Sequence, residues 1–398
     1  MADTIPWDPL LSSPEAYSVY ARLRGDAPVC RMELPNGLPT WLVTRFDDAV
    51  GALGERSLRK DPDVAREFWQ RHGVGLDAAR QMCLAPTMLA TDPPVHTRLR
   101  SSVASVFAAR RASSWEASIA DAVRRLLDAV ADRESFCVVE ALAAPLPMHV
   151  LANVLGVPAG QEADFRAWAS SIVAHDSETP ESRLDAAAAL GVHLLDLMAA
   201  KRAAPGEDLI SSLVALPDDR LSDFEALTTL FLLLIAGYET TVNLIGNTVL
   251  ALLRHPAERQ RLESNWGLLD PAIEEATRYW SPVAIASWRF AERDVEIAGQ
   301  MIPAGDPVRV VLASANRDER TFPDPDRFDI TRRNDHHVGF GQGSHFCLGA
   351  SLGRLEVKLA VGGLFRRYPG LRLAADPADL RWKQSHIMRG LQTLPVAP

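Results

Sequence analysis

The longest apolar pattern in the chain follows the segment Ser222-Asp223-Phe224-Glu225 and continues to His255-Pro256. A serine with a glutamate three residues later can cap the free N–H groups at a helix start, and a proline favours its end. The pattern therefore predicts one helix of about 34 residues, roughly 50 Å long at the helical rise. Because apolar residues surround nearly all of this helix, we expect it to cross the middle of the protein.

Shorter patterns predict a mainly α-helical protein with a small β region. The predicted segments are, in chain order, a strand at 40–44, a helix at 46–53, an irregular stretch at 66–86, mainly amphipathic helix over 114–202, a strand at 283–289, a β-ribbon over 294–299 and 301–312, and a helix after Cys347 that ends near residue 365.

Length and composition narrow the class of protein. The 398 residues contain no Pro/Gly/Ser-rich linker, low-complexity run or internal repeat, which favours one domain over residues 1–398. A net charge of −9 argues against a general nucleic-acid binder. The N-terminus lacks a basic segment followed by an apolar run, and the apolar run 230–237 is too short to span a bilayer. Four separated cysteines without CxxC spacing indicate neither zinc nor disulfides. We expect a monomer in the cytoplasm.

The segment Phe340–Gly349 places a cysteine at the end of a glycine-punctuated loop, where a helix begins. A thiol at a helix N-terminus is predicted to favour the thiolate, which is a good iron ligand. Gly341 and Gly343 allow unusual backbone conformations, and Gly349 leaves room for a flat ligand. Two other interpretations stay open: a buried structural cysteine, or a thiol hydrolase in which Cys347 is the nucleophile and His345 the base.

This segment resembles the signature of the cytochrome P-450 superfamily, Phe-x-x-Gly-x-x-x-Cys-x-Gly, through Phe340, Gly343, Cys347 and Gly349. The resemblance implies a mainly helical fold with a small β region. It also implies haem b with a Cys347 thiolate as axial iron ligand, O2 as co-substrate, and contacts from Phe340, Gly341 and Gly349. The haem would lie between the long central helix and the helix after the cysteine loop.

The segment 92–100, Asp-Pro-Pro-Val-His-Thr-Arg-Leu-Arg, is a second informative stretch. Its prolines suit a helix start, and His96 and Arg100 share a helical face that could bind a carboxylate. A solvated helix face is the alternative. The segment resembles the family's propionate-binding helix, which assigns His96 and Arg100 to the haem propionates. Arg289 and His345 match two further propionate ligands of the family.

At the centre of the long helix, Ala236-Gly237-Tyr238-Glu239-Thr240-Thr241 places an acid beside hydroxyls. A buried carboxylate is costly, and proton delivery is a reason to keep one. A helix kink with a solvated glutamate is the alternative. The segment is similar to the family's acid–alcohol motif. That similarity implies Glu239 as the proton-delivering acid, Thr240 as the alcohol, and Ala236 with Gly237 along the oxygen groove.

Glu275 and Arg278 are spaced for an ion pair on one helix. With Arg327, in a segment resembling the family's Pro-x-Arg-Phe motif, they would form a buried structural charge network behind the cysteine loop. Losing one member would leave an uncompensated charge.

The resemblance also implies a substrate and partners. The predicted pocket residues are Met88, Ile235, Val283, Ala284, Ile285, Ser287, Ile387 and Met388. The chain has no flavin or dinucleotide motif, so a ferredoxin and a ferredoxin reductase fed by NAD(P)H are expected. The candidate docking cations are Arg110, Arg111, Lys358, Arg366 and Arg367. The expected reaction is oxygen insertion into a bulky apolar secondary metabolite. A peroxide-driven enzyme, oxidative C–C or C–O coupling, and a carrier-bound substrate are the alternatives.

Overall fold

The computed structural model describes residues 4–8, 11, 15–109, 113–173, 180–333, 336–385 and 387–398. Within these ranges the α-helices are α1 Ala16–Asp26, α2 Phe46–Gly54, α3 Arg66–Arg71, α4 Leu76–Met82, α5 Val95–Phe107, α6 Glu116–Asp128, α7 Pro145–Leu155, α8 Glu162–Val173, α9 Pro180–Ala203, α10 Leu209–Val214, α11 Asp223–Arg254, α12 Pro256–Ser264, α13 Leu269–Tyr279, α14 Leu312–Ala315 and α15 Ala350–Arg367. The strands are β1 Val29–Glu33, β2 Pro39–Val43, β3 Leu58–Arg59, β4 Phe136–Cys137, β5 Arg289–Ala291, β6 Val295–Ile297, β7 Gln300–Ile302, β8 Pro307–Val310, β9 Arg372–Leu373 and β10 Pro395–Ala397.

The β region consists of small sheets that join distant parts of the chain. The largest has the order β1-β2-β8-β5-β3, in which β2 and β8 are parallel. A second sheet has the order β4-β10-β9, and β6 with β7 forms a hairpin. The small β region predicted from the sequence is confirmed. The large sheet fixes β5, which carries Arg289, against β3.

Two local predictions are wrong. Residues 66–86 form α3 and α4 rather than an irregular stretch, because Trp69 and Ala79 are buried in a common cluster that stabilises both short helices. In residues 283–289 strand structure begins only at Arg289. The backbone before Arg289 bonds two different segments instead of one neighbouring strand. Ala284 N donates to the Ile387 carbonyl, and Ala286 N donates to the Val310 carbonyl.

The long central helix is confirmed as α11. Ser222 and Glu225 form the predicted capping box at its start. By length and composition α11 could cross a membrane, but 78% of its most apolar window is buried inside the protein. It packs against α7, α8, α13 and α15, so it is the helix around which the main core forms.

The helix that follows the cysteine loop, α15, lies beside the middle of α11. A Cβ atom added at Gly353 would lie 3.8 Å from Thr241 Oγ1, which is an ordinary contact distance. Because Gly353 is only six residues after Cys347, this packing brings the cysteine loop to the same region as the acid–alcohol segment.

Candidate active site

The cysteine loop has the conformation that its glycines permit. Gly341 and Gly343 both have φ of +72°, a region that favours glycine. Cys347 N donates to the Phe340 carbonyl over 2.9 Å, which closes the loop just before α15. A Cβ added at Gly349 would meet no atom within 4 Å, so the space beside this residue is open, as a flat ligand requires.

Cys347 is solvent-accessible, although many protein atoms lie around its thiol. Burial raises the pKa of its thiol, whereas a hydrogen bond from the Gly349 N–H and the charges of Arg100 and Arg354 oppose that effect. In the metal-free protein, burial therefore outweighs the effect of the helix start on the Cys347 thiol. The first residue of α15 is Ala350, so the thiol precedes the helix, and a bound metal cation would have to supply the missing positive charge.

Basic and imidazole groups from distant elements converge beside this loop. The His96 and His345 rings lie 4.1 Å apart between centroids, and Arg100 Nη2 donates to the Phe346 carbonyl over 2.7 Å. Burial lowers the pKa of His345 to about 2, and the charges of Lys60, His96, Arg289 and Arg100 act in the same direction. These groups form a cluster of positive potential with His345 at its centre.

The cluster contains donors that the described part of the protein does not satisfy. His96 Nε2 and Arg289 Nε are buried, and neither has a hydrogen-bond partner among the described residues. A buried donor without an acceptor is destabilising, and a buried guanidinium prefers a carboxylate. The predicted propionate ligands His96, Arg100, Arg289 and His345 therefore lie together, and their chemistry fits the two carboxylates of a haem.

Lys60 belongs to this cluster and was missed by the sequence analysis. Its Nζ donates to Ser287 Oγ over 2.6 Å and to the Trp288 carbonyl over 2.7 Å, and the residue is only 3% exposed. No sequence pattern indicated it, although it is one of only four lysines. Ser287 was predicted as a pocket residue, and its hydroxyl accepts a hydrogen bond from this buried ammonium group.

The middle of α11 is open on one side. Ala236 is exposed and Thr240 is half-buried, although the helix is otherwise mostly buried there. Thr240 Oγ1 donates to the Ala236 carbonyl over 2.7 Å. A Cβ added at Gly237 would approach Leu151 to 3.2 Å, so this glycine allows α11 to pack closely on α7. The oxygen groove along Ala236 and Gly237 remains a prediction. Of the two residues, Ala236 is the more exposed, whereas Gly237 lies against α7.

Glu239 is buried and has a partner that the sequence analysis did not identify. Lys383 Nζ donates to the Glu239 carboxylate and, over 3.0 Å, to Asn243 Oδ1. The acid is therefore held as part of an ion pair between α11 and the segment near the C-terminus. Lys383 is 144 residues from Glu239 in the sequence, so no local pattern predicts this contact.

The charge network behind the loop is partly as predicted. Glu275 and Arg278 are both fully buried and form two hydrogen bonds, of 2.8 and 2.9 Å. Arg327 is wrong as a member, because its side chain is 60% exposed and lies near Asp329. Arg332 takes that place, with Nε 3.4 Å from Glu275 Oε1. Arg327 contributes its backbone carbonyl to Arg278 instead.

The predicted pocket residues separate into two groups. Ile285 is a correction, because it is 0% exposed in the cluster beneath α1 and a fully enclosed side chain cannot border a ligand. Ala284 belongs to the same cluster but is not fully enclosed, and it stays a prediction. Val283 and Met388 form an isolated bridge. The remaining candidates are nearly or half buried and stay predictions: Met88, Ile235, Val283, Ser287, Ile387 and Met388.

The described members of the predicted docking cations each have a different local partner, and docking remains a prediction. Arg110 and Arg111 lie outside the described residues. Lys358 pairs with Asp270 over 2.9 Å, and Arg367 with Asp128 over 2.9 Å. The Arg366 guanidinium lies 4.1 Å from the Trp266 ring centroid.

Comparison with known proteins extends the similarity to nearly the whole chain. The family model described as Cytochrome P450 matches residues 198–377. Cytochrome P450 107B1 of Saccharopolyspora erythraea is 44% identical over 394 residues, covering 96% of this chain and 95% of that protein. 6-Deoxyerythronolide B hydroxylase of the same organism is 39% identical, covering 96% and 95%. The structure of tirandamycin C-bound P450 monooxygenase TamI matches with a TM-score of 0.91 at 38% identity, covering 99% of each chain.

Proposed function

The chain belongs to the cytochrome P450 family, and on that premise we propose that it inserts one oxygen atom of O2 into a bulky apolar secondary metabolite, by hydroxylation or epoxidation. Its relatives are monooxygenases, and the family uses a haem-thiolate iron cofactor and O2. The observation that carries the proposal is an accessible thiol, Cys347, near an open stretch of α11 that contains an acid and an alcohol.

The chain's own residues would hold the cofactor. Cys347 would bind the iron, and the unsatisfied nitrogens of His96 and Arg289 would donate to propionates, together with Arg100 and His345. The haem supplies the oxygen chemistry when it is bound, whereas the protein supplies orientation and electrostatics. The open space beside Gly349 supports a flat ligand at this position.

Glu239 and Thr240 would deliver protons. Thr240 donates its own proton to the Ala236 carbonyl, so its oxygen remains free to accept a hydrogen bond. Glu239 is buried and accepts a hydrogen bond from the Lys383 ammonium group, so a proton donor directly contacts the acid. This arrangement supports general acid catalysis by residues that need not touch the substrate.

The names of relatives support the substrate class. One relative hydroxylates 6-deoxyerythronolide B, and the related structure binds tirandamycin C. Members of the family generally use redox partners, and we propose a ferredoxin with its reductase in the cytoplasm for this protein. Val283, Ile387 and Met388 are the half-buried apolar residues that would contact the substrate.

The proposal is tested by titrating the ferric absorption spectrum with macrolides, terpenoids, steroids, fatty acids and aromatic cyclic peptides. A low-spin to high-spin shift with one class is expected, followed by a product that carries one atom from labelled O2. The Cys347→Ala variant should lose the thiolate spectrum. A wild-type protein that shows no haem spectrum after supplementation would contradict the assignment. A haem spectrum that no compound shifts would contradict the substrate class.

A further inference from the structure

Lys60 is a buried cation whose direct partners are uncharged. Its ammonium group bonds the Ser287 hydroxyl and the Trp288 carbonyl. Within the described ranges of the chain, no carboxylate forms an ion pair with its Nζ. A buried ammonium without a negative partner is costly, because burial removes its hydration.

The charged groups that face Lys60 leave its positive charge uncompensated. Arg289 and Arg309 are cationic neighbours, and Cys83 has a pKa raised by burial to about 12, so its thiol is neutral. Asp92 is the acidic neighbour, but its carboxylate accepts from the Lys60 backbone N–H and lies 3.4 Å from Arg59 Nε. Burial accordingly lowers the pKa of Lys60 well below its usual range.

Lys60 and the predicted propionate ligands act on the same space. Lys60 Nζ donates to the carbonyl of Trp288, the residue directly before the predicted propionate ligand Arg289. The buried Nε of Arg289 has no hydrogen-bond partner in the part of the chain that the structure describes. Lys60 and Arg289 are therefore buried cations on adjoining segments, and Asp92 is the acidic group that acts on both.

We propose that Lys60 is a further cofactor-binding residue, whose ammonium group provides a positive charge for the haem propionates and thereby raises the reduction potential of the iron. This inference rests on the proposed haem function. The reduced haem carries one more negative charge than the oxidised haem, so a nearby buried cation favours reduction. The rival explanation is mechanical: Lys60 merely ties β3 to the Ser287–Trp288 segment.

The substitution Lys60→Gln separates these explanations, because an amide can still donate to both oxygens but has no charge. In the substrate-free, haem-loaded protein we expect haem transfer to apomyoglobin to become about tenfold faster. We also expect the reduction equilibrium to shift about tenfold toward the ferric state, which is about 59 mV for one electron. The Lys60→Arg variant should restore part of both properties.

The matched control is Lys201→Met, which removes the same charge from α9, where Lys201 pairs with Asp208 over 2.6 Å. It should change neither the potential nor haem release. If Lys60→Gln also has the wild-type potential and haem release, Lys60 is a mechanical tie and the inference is wrong, although the haem function stands. Because substrate is absent, an effect of Lys60→Gln also excludes a substrate carboxylate as its partner. A wild-type protein without a haem spectrum would instead contradict the proposed function itself.

Discussion

Two regions of buried charge flank the cysteine loop, and they differ in completeness. Glu275 and Arg278 are each 0% exposed, and their opposite charges pair directly. Neighbouring groups complete their hydrogen bonds, since Arg278 also donates to backbone carbonyls and Glu275 also accepts from Arg332. The cluster of Lys60, His96 and Arg289 is also buried, but it has an excess of positive charge, and two of its nitrogens have no hydrogen-bond partner among the described residues. In the first region the charges are compensated within the protein, whereas in the second the positive charges require a ligand with carboxylates.

This difference distinguishes charged residues that stabilise the fold from charged residues that bind a ligand. A charge that is compensated within the protein is structural, and one that is not requires a ligand. Removing one member of a complete pair leaves the other as a buried uncompensated charge. Removing one member of the incomplete cluster relieves repulsion in the haem-free protein and weakens binding of the haem. The two regions should therefore respond in opposite ways to similar substitutions.

The largest effect is expected from Glu275→Gln. Arg278 would keep its buried charge without a counter-charge, and we expect the free energy of unfolding to fall by about 3–5 kcal/mol. Chemical denaturation of the haem-loaded protein measures this loss. The matched control is Glu274→Gln, which breaks a partly exposed pair with Arg354 and should cost less. An equal loss in both variants would remove the distinction between the two environments.

A sharper test of the complete network compares Arg332→Met with Arg327→Met. Arg332 bonds Glu275 and the carbonyls of Pro323 and Asp324, so its loss should cost about 1–3 kcal/mol. Arg327 has an exposed side chain, and its loss should change stability by less than about 0.5 kcal/mol. The reverse order in thermal denaturation would restore Arg327 to the network.

The incomplete cluster is tested by Arg289→Met. Haem transfer to apomyoglobin should become at least about tenfold faster, because a charged donor to a propionate is lost. The stability of the haem-free protein should be unchanged or higher, since the substitution removes a buried cation that forms no ion pair with the described residues. A haem-free variant that is strongly destabilised would mean that Arg289 has a structural partner.

A further prediction concerns a buried acid that lies outside both regions. Burial raises the pKa of Glu356 on α15 to about 8, and its Oε2 has no partner among the described residues. The folded protein therefore keeps this proton between pH 4.5, the ordinary pKa, and about 8. Its contribution to stability is fully present below the lower value and is lost as the pH rises through the upper one.

Glu356→Gln should remove this dependence. The wild-type free energy of unfolding should fall with rising pH more steeply than that of the variant, by up to about 1.4 kcal/mol per pH unit. Urea denaturation from pH 5 to 8 measures both slopes. Equal slopes would indicate that Glu356 is ionised in the folded protein.

The sequence by itself determined the features that depend on neighbours along the chain. The capping box at Ser222, the long apolar helix, the positive φ of Gly341 and Gly343, and the pairing of Glu275 with Arg278 all follow from local spacing. Each involves residues within one helix or loop, so the backbone alone brings their atoms together. The family motifs added the expected haem ligand and proton-delivery residues.

Only the tertiary structure decided which distant residues complete each site. Lys60 reaches Ser287, Lys383 reaches Glu239, and Arg332 replaces Arg327, each across a contact between separate segments. Local periodicity also failed at residues 283–289. Their backbone bonds two different segments, and Ile285 is buried in a hydrophobic cluster. Sheet pairing and helix packing set these contacts, and local periodicity contains no information about which remote segment will be adjacent.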